Sequence, residues 1–212
     1  MAKPILYGPI YSTFVRTVRM VLAEKNVDYD LVDVDMMTGA HRSPAHLKRH
    51  PFGKIPAFEH NGFSIYESNA IVHYIDDAFP GRRIAPYGMH RRARDQQIVD
   101  IIGSYAYGRI VIRLVLPYFF ADKEKGPDMA AIAAAVPDIE HVLGEIQNLM
   151  IDPDPFLMGR EVGFSDLYLA PIVSYLMMFP EGGRILPKLP RLSSWWLAMQ
   201  HHDSVTKTAP KL

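Results

Sequence analysis

The sequence changes its periodicity once, near residue 81, and that single change limits the folds open to it. Before that point short segments alternate between two-residue and 3.6-residue repeats of apolar side chains; beyond it every periodic segment is helical. Pro4 to Tyr7 reads as a short buried strand, Gly8, Pro9 and Ser12 punctuate a loop, and Val15, Val18, Val21 and Leu22 mark one face of a helix over 13–25. Arg16, Arg19 and Glu24 fall on its other side. The run YDLVDVDM (29–36) alternates apolar and acidic residues as a half-buried strand does. After Gly39 the polar stretch AHRSPAHLKRH predicts an irregular segment with a short helix. Strands are expected at 55–59 and 63–66, joined through Asn61-Gly62, the strongest short hairpin signal, and 68–78 returns to helical spacing. A βαβ unit followed by a ββα unit predicts an α/β domain with a mixed four-stranded sheet covered by helices. Pro86 and Gly88 mark a linker, and an all-α domain follows, with helices at 91–121, 128–149, 164–178 and 190–201 and a kink at Pro137. The domain boundaries expected are 1–81, a linker at 82–91, and 92–212.

Charge and cysteine content narrow the chemistry. The 212 residues hold 23 basic and 23 acidic side chains, and residues 1–85 hold 10 and 9, so no field exists to bind nucleic acid or an anionic membrane surface. There is no cysteine, which excludes disulfides, thiolate metal sites and a thiol nucleophile of the protein's own. Any reacting sulfur must be borrowed. The start MAKPILYGPIYS lacks an apolar signal region and no run approaches 18 apolar residues, so a soluble, cytoplasmic protein is expected.

The most informative segment is HPFGKIPAFEHNGFSIYESNAIVHYI, residues 50–75. An Ile55-Pro56 bond opening a strand makes a cis peptide plausible, with the Ile55 backbone left to pair with an extended ligand. Glu67 and Ser68 stand where a strand turns into a helix. The Ser68 hydroxyl and first-turn amides suit a carboxylate, and Glu67 suits an ammonium group. Together these describe a site for a small peptide.

These residues, with the Ser12 turn and the helical second half, closely resemble the cytosolic glutathione transferases over essentially the whole chain. GAHRSPAHLKRHPFGKIPAF looks most like phi-type members, while STFVRTV has the serine-to-arginine spacing of theta-like and delta-like ones. The resemblance implies a thioredoxin-like first domain binding glutathione as co-substrate and a helical domain supplying most of the second-substrate pocket. It implies that Ser12 contacts the glutathione sulfur, His41 and Lys54 the glycyl end, Ile55 with Pro56 the cysteinyl backbone, and Glu67 with Ser68 the γ-glutamyl group. The activity implied is addition of the thiolate to an apolar, aromatic electrophile. A glutathione-dependent lyase, isomerase or dehalogenase, and a silent binding module, use the same scaffold.

A hydroxyl at Ser12 makes chemical sense, because a free thiol is only about 3% ionised at neutral pH and the thiolate is the nucleophile. A donor at a helix N-terminus lowers the thiol pKa. Tyr7, Tyr11 and Thr13 are rival donors. Tyr11, Tyr105, Tyr107 and Arg109 are candidates for the electrophile pocket, with Arg113, Tyr118 and Phe119 on the same predicted helix; Tyr105 and Tyr107 must face different ways. His46 and His50 sit four apart beside His41, but nothing completes a metal site, and they read as solvated loop histidines. In MGREVGFSDLYLAP, Gly163 stands where the family usually has a serine or threonine, leaving a half-kept capping box with Asp166. A two-fold homodimer is implied, with Phe52 projecting into the partner.

Overall fold

The computed structural model describes residues 3–152 and 155–210. The first half runs β1 (Ile5–Tyr7), α1 (Thr13–Glu24), β2 (Asp30–Val32), α2 (Pro44–Leu47), β3 (Ala57–His60), β4 (Phe63–Tyr66) and α3 (Ser68–Ala78). Its four strands form one mixed sheet in the order β2-β1-β3-β4, with β1 parallel to β2 and antiparallel to β3, and β4 antiparallel to β3. This is the thioredoxin-like arrangement that the βαβ and ββα units require. Asn61 (φ 51°) and Gly62 (φ 81°) make the hairpin turn with two successive positive φ angles, the conformation an Asn-Gly pair favours.

Strand β2 is shorter than the alternation of residues 29–36 predicts. Its neighbour β1 has only three residues, and the last bond of the pair runs from the Gly8 amide to the Val32 carbonyl before Pro9 turns the chain away. Val34 is still buried, packed with Tyr7 and Ala57 outside any strand. Strand β3 likewise starts after Pro56 rather than at Ile55, and the Ile55-Pro56 peptide is cis.

Helix α1 buries Val15, Val18, Val21 and Leu22 as its spacing predicts. Arg16 is buried too, which the sequence pattern had placed on an outer face. The second half explains why. It runs α4 (Met89–Ile101), two wide π-helical stretches over Ile102–Ala106 and Gly108–Val115, α5 (Leu116–Phe119), α6 (Met129–Asn148), α7 (Phe164–Leu176), α8 (Pro180–Ile185), α9 (Pro190–Met199) and α10 (Asp203–Lys207). The chain divides into two compact units, one running up to Ala85 and one over Pro86–His202, and the residues from Asp203 onward pack with the first. Arg16 Nη2 donates to the Val205 carbonyl at 3.0 Å and Arg19 Nη1 to the Thr208 carbonyl at 3.0 Å, so α10 covers the face of α1 that a helical second domain reaching 212 would leave open.

The second unit is built around α7. All its residues except Ser174 are buried, with α4, the second π-helical stretch, α8 and α9 packed on it. Helix α8 and the short α10 have too few residues to show a period, and the sequence gives no sign of them. Asp166 Oδ2 accepts from the Gly163 amide at 2.8 Å, the half of the capping box that the sequence retains. An acceptor for another first-turn amide comes from α4: Asp95 Oδ1 accepts from the Ser165 amide at 3.0 Å and from the Ser165 hydroxyl at 2.6 Å. A Cβ added at Gly163 would lie 3.0 Å from the same oxygen, so glycine there leaves room for the borrowed acceptor.

Candidate active site

Ser12 is the N-cap of α1. Its Oγ accepts from the Val15 amide at 3.4 Å, and its own proton goes to no described residue. The hydroxyl therefore stands half-exposed at the positive end of a three-turn helix with a proton to donate. Two glycines bring the other elements close. Gly8 has φ 148°, and a Cβ there would collide with Val15 and lie 3.4 Å from Ile55, so only glycine lets the loop before Ser12 run beside Ile55. Gly53 has φ 57° and would set a Cβ 3.3 Å from the His41 carbonyl, which brings the His41 segment against the turn carrying Lys54 and Ile55.

That turn is fixed from below by α2. Ser43 caps α2 by accepting from the His46 amide, and His46 Nε2 lies 2.7 Å from the Lys54 carbonyl. His46 and His50 are buried, not solvated as their loop context predicts: the rings stack at 6.4 Å, and His50 also packs on Tyr66 at 4.8 Å. The polar composition of residues 40–50 hid this, since His46 on the single turn of α2 and His50 just beyond it are both buried. Among the described residues no group of three or more His, Cys, Asp or Glu could hold a metal ion.

Glu67 is the N-cap of α3, with φ 70° and ψ 116°, a conformation that costs a non-glycine residue about 1–3 kcal/mol. Its carbonyl accepts from the Ile71 amide at 3.0 Å, and its side chain is 63% exposed, with Oε1 3.9 Å from His50 Nε2. Ser68 follows as the first residue of α3, beside unpaired first-turn amides. Among the candidate ligand residues, Lys54 is exposed and His41, Ile55 and Ser68 are half-buried, while Pro56 is buried.

Two of the three rival donors are occupied. Tyr7 is buried in the sheet and donates to Glu59 Oε2 at 2.9 Å, with the Arg49 guanidinium 4.3 Å above its ring; burial, then the Glu59 bond, raises its pKa. The Tyr11 hydroxyl lies 3.4 Å from Asp35 Oδ1 and accepts from the Met36 amide, and burial chiefly raises its pKa as well. Thr13 is buried as the first residue of α1.

In the helical unit, Tyr105 is exposed and Tyr107 half-buried, with burial raising the Tyr107 pKa. Arg109 folds back on Tyr105, Nη1 donating to its carbonyl at 3.1 Å with the guanidinium 5.5 Å from the ring. The Tyr118 hydroxyl donates to Glu181, and its ring stacks on Phe179 at 4.2 Å. Arg113 pairs with Asp138. The sequence expectation of a single α-helix through all these residues gives way to the π-helical stretches, which no propensity signal announces.

Fold and sequence together define the class. Residues 2–77 match the family described as "Glutathione S-transferase, N-terminal domain". Glutathione S-transferase F6 of Arabidopsis thaliana is 32% identical over 220 aligned positions, covering 98% of this chain and 99% of that one. A probable glutathione S-transferase of Oryza sativa, GSTF1, is 29% identical over 96% and 94%. The crystal structure of glutathione transferase F7 from Populus trichocarpa superposes with a TM-score of 0.84 at 28% identity, covering 97% of each chain. The chain belongs to the glutathione S-transferase family, and no described helix is long and apolar enough to cross a membrane.

Proposed function

We propose that this protein binds glutathione on its thioredoxin-like unit and adds the glutathione thiolate to an apolar, aromatic electrophile. The observation that carries the reading is the Ser12 hydroxyl, its acceptor side engaged by the Val15 amide and its proton available at the start of α1. A thiolate placed there receives one hydrogen bond and the favourable end of the helix dipole, which lowers the thiol pKa without a general base. The exposed Glu67 carboxylate takes the γ-glutamyl ammonium and Ser68 with the first-turn amides of α3 takes its carboxylate. Ile55 pairs with the cysteinyl backbone, and Lys54 with His41 holds the glycyl end. Tyr11, Tyr105, Tyr107 and Arg109 are the residues proposed to meet the electrophile.

The test pairs calorimetric titration with glutathione against an initial-rate assay with a flat, apolar aromatic electrophile. Binding with conjugation supports the reading. Binding without conjugation, but with ether cleavage, isomerisation or halide release, replaces the transfer reaction with one of those. Absence of glutathione binding removes the reading altogether.

A further inference from the structure

We propose that the buried imidazole of His50 is a proton-gated counterion for Glu67, so that a proton gained at His50 competes with a ligand's ammonium group for the Glu67 carboxylate. The inference rests on the glutathione reading above and adds a mode of regulation to the same site.

The geometry is specific. His50 is 1% exposed and follows α2, with its Nε2 3.9 Å from Glu67 Oε1. That distance is too long for a hydrogen bond from a neutral ring, yet within the range of an ion pair once the ring is charged. The Glu67 side chain is otherwise open to solvent, so its carboxylate stands between a buried base and the space from which a ligand approaches.

The groups facing His50 decide when it takes a proton. From α2 comes His46, stacked on it; from the following turn, Lys54; from β4, the ring of Tyr66; and from the start of α3, Glu67. Burial first, then His46 and Lys54, disfavour the charged ring, and Glu67 favours it. The net direction is downward from the ordinary histidine value, so the ring is neutral at pH 7 and Glu67 keeps its full charge for a ligand. As pH falls below the ordinary histidine range, His50 charges and neutralises Glu67 from behind. An ammonium bound at Glu67 in turn makes that proton harder to add, because coupling between two ligands of one group is reciprocal. The amine and carboxylates of glutathione keep their charges across this window, and the slope that comes from the lowered pKa of its bound thiol is common to wild type and a His50 variant, so it cancels when the two are compared.

Two measurements on the full chain test this. Calorimetry at about pH 7.5, 6.5 and 5.5 should show wild type losing about three- to tenfold more glutathione affinity toward the lowest pH than His50→Asn loses. Proton NMR titration of the histidine resonances without ligand, with His50 assigned by its loss in the variant, should show its midpoint falling in Glu67→Gln. Should His50→Asn misfold, His50→Gln replaces it in both roles. An equal slope in wild type and the His50 variant, or a His50 midpoint unmoved by Glu67→Gln, overturns the proposal. Wild type that binds no glutathione even at about pH 7.5 removes the glutathione reading and this inference with it. Binding with no His50-dependent slope removes only the inference.

Discussion

The hydroxyl of a single serine separates holding glutathione from activating it. Ser12→Ala removes one hydrogen bond to the sulfur while leaving the ligand's other contacts in place. Affinity should stay within a few-fold while turnover falls about 10- to 1000-fold. Ultraviolet titration of the bound thiolate checks this, and an unchanged bound-thiol pKa would transfer the role elsewhere. Glu67→Ala and Ser68→Ala should do the opposite: weaker glutathione binding by calorimetry, with the pKa of any bound thiol little changed. These positions were legible in the sequence because each sits at a boundary that turn residues announce: Ser12 after Gly-Pro, Ile55 before proline, Glu67-Ser68 at a strand-to-helix change. The relation between His50 and Glu67 was not legible, since seventeen residues and a hairpin separate them and only tertiary packing brings them together. The same holds for the commitment of Tyr7 to Glu59, which no local pattern encodes.

Helix α7 shows how an element keeps its start when its own sequence lacks the usual cap. Asp95→Ala should leave the buried Ser165 amide and hydroxyl without their acceptor, at a cost of about 1–3 kcal/mol. Adding Gly163→Ser in that background should restore part of the loss, because the space vacated by the carboxylate accommodates a conventional cap. Thermal denaturation of the single and double variants reads this directly. The neighbouring Asp166 gives the element a pH dependence. Burial drives its carboxyl up to about 7, with Asp95 adding to the rise and the Gly163, Leu157 and Trp195 N–H donors pulling it down. The folded state thus holds this proton at pH values where the unfolded chain has released it. Stability should therefore fall as pH rises from about 4 to about 7 and level off above. An Asp166→Asn variant should lack that slope, and melting temperatures of the two proteins across the range provide the comparison. From sequence, the helix and its partial box were evident, but the acceptor sits seventy residues away in the chain.

For the whole molecule, the order of strands and the switch to helices were readable because turn residues and periodicity agreed at every step. What periodicity missed were the pieces shorter than two turns and the path of the last residues. Phe52 carries the assembly prediction. It is 72% exposed, edge-on to His50 and Tyr66, so it is not packed into its own unit. Burying it in a second copy would stabilise by about 1.5–3 kcal/mol per side chain, counted twice by symmetry. Light scattering over a dilution series should show a wild-type dimer and a Phe52→Ser protein that dissociates at higher concentration while still folded. A wild type that stays monomeric at all concentrations refutes it. The return of α10 to α1 bears on how the molecule is made. The guanidinium groups of Arg16 and Arg19 find their carbonyl partners at Val205 and Thr208, nearly two hundred residues later. During synthesis the first unit can assemble its sheet early, but one flank of α1 must wait, uncovered, until the ribosome has passed Thr208. The helical unit is therefore finished before the unit that precedes it, and a chain stopped anywhere short of that point leaves the ribosome with its first-made part still open.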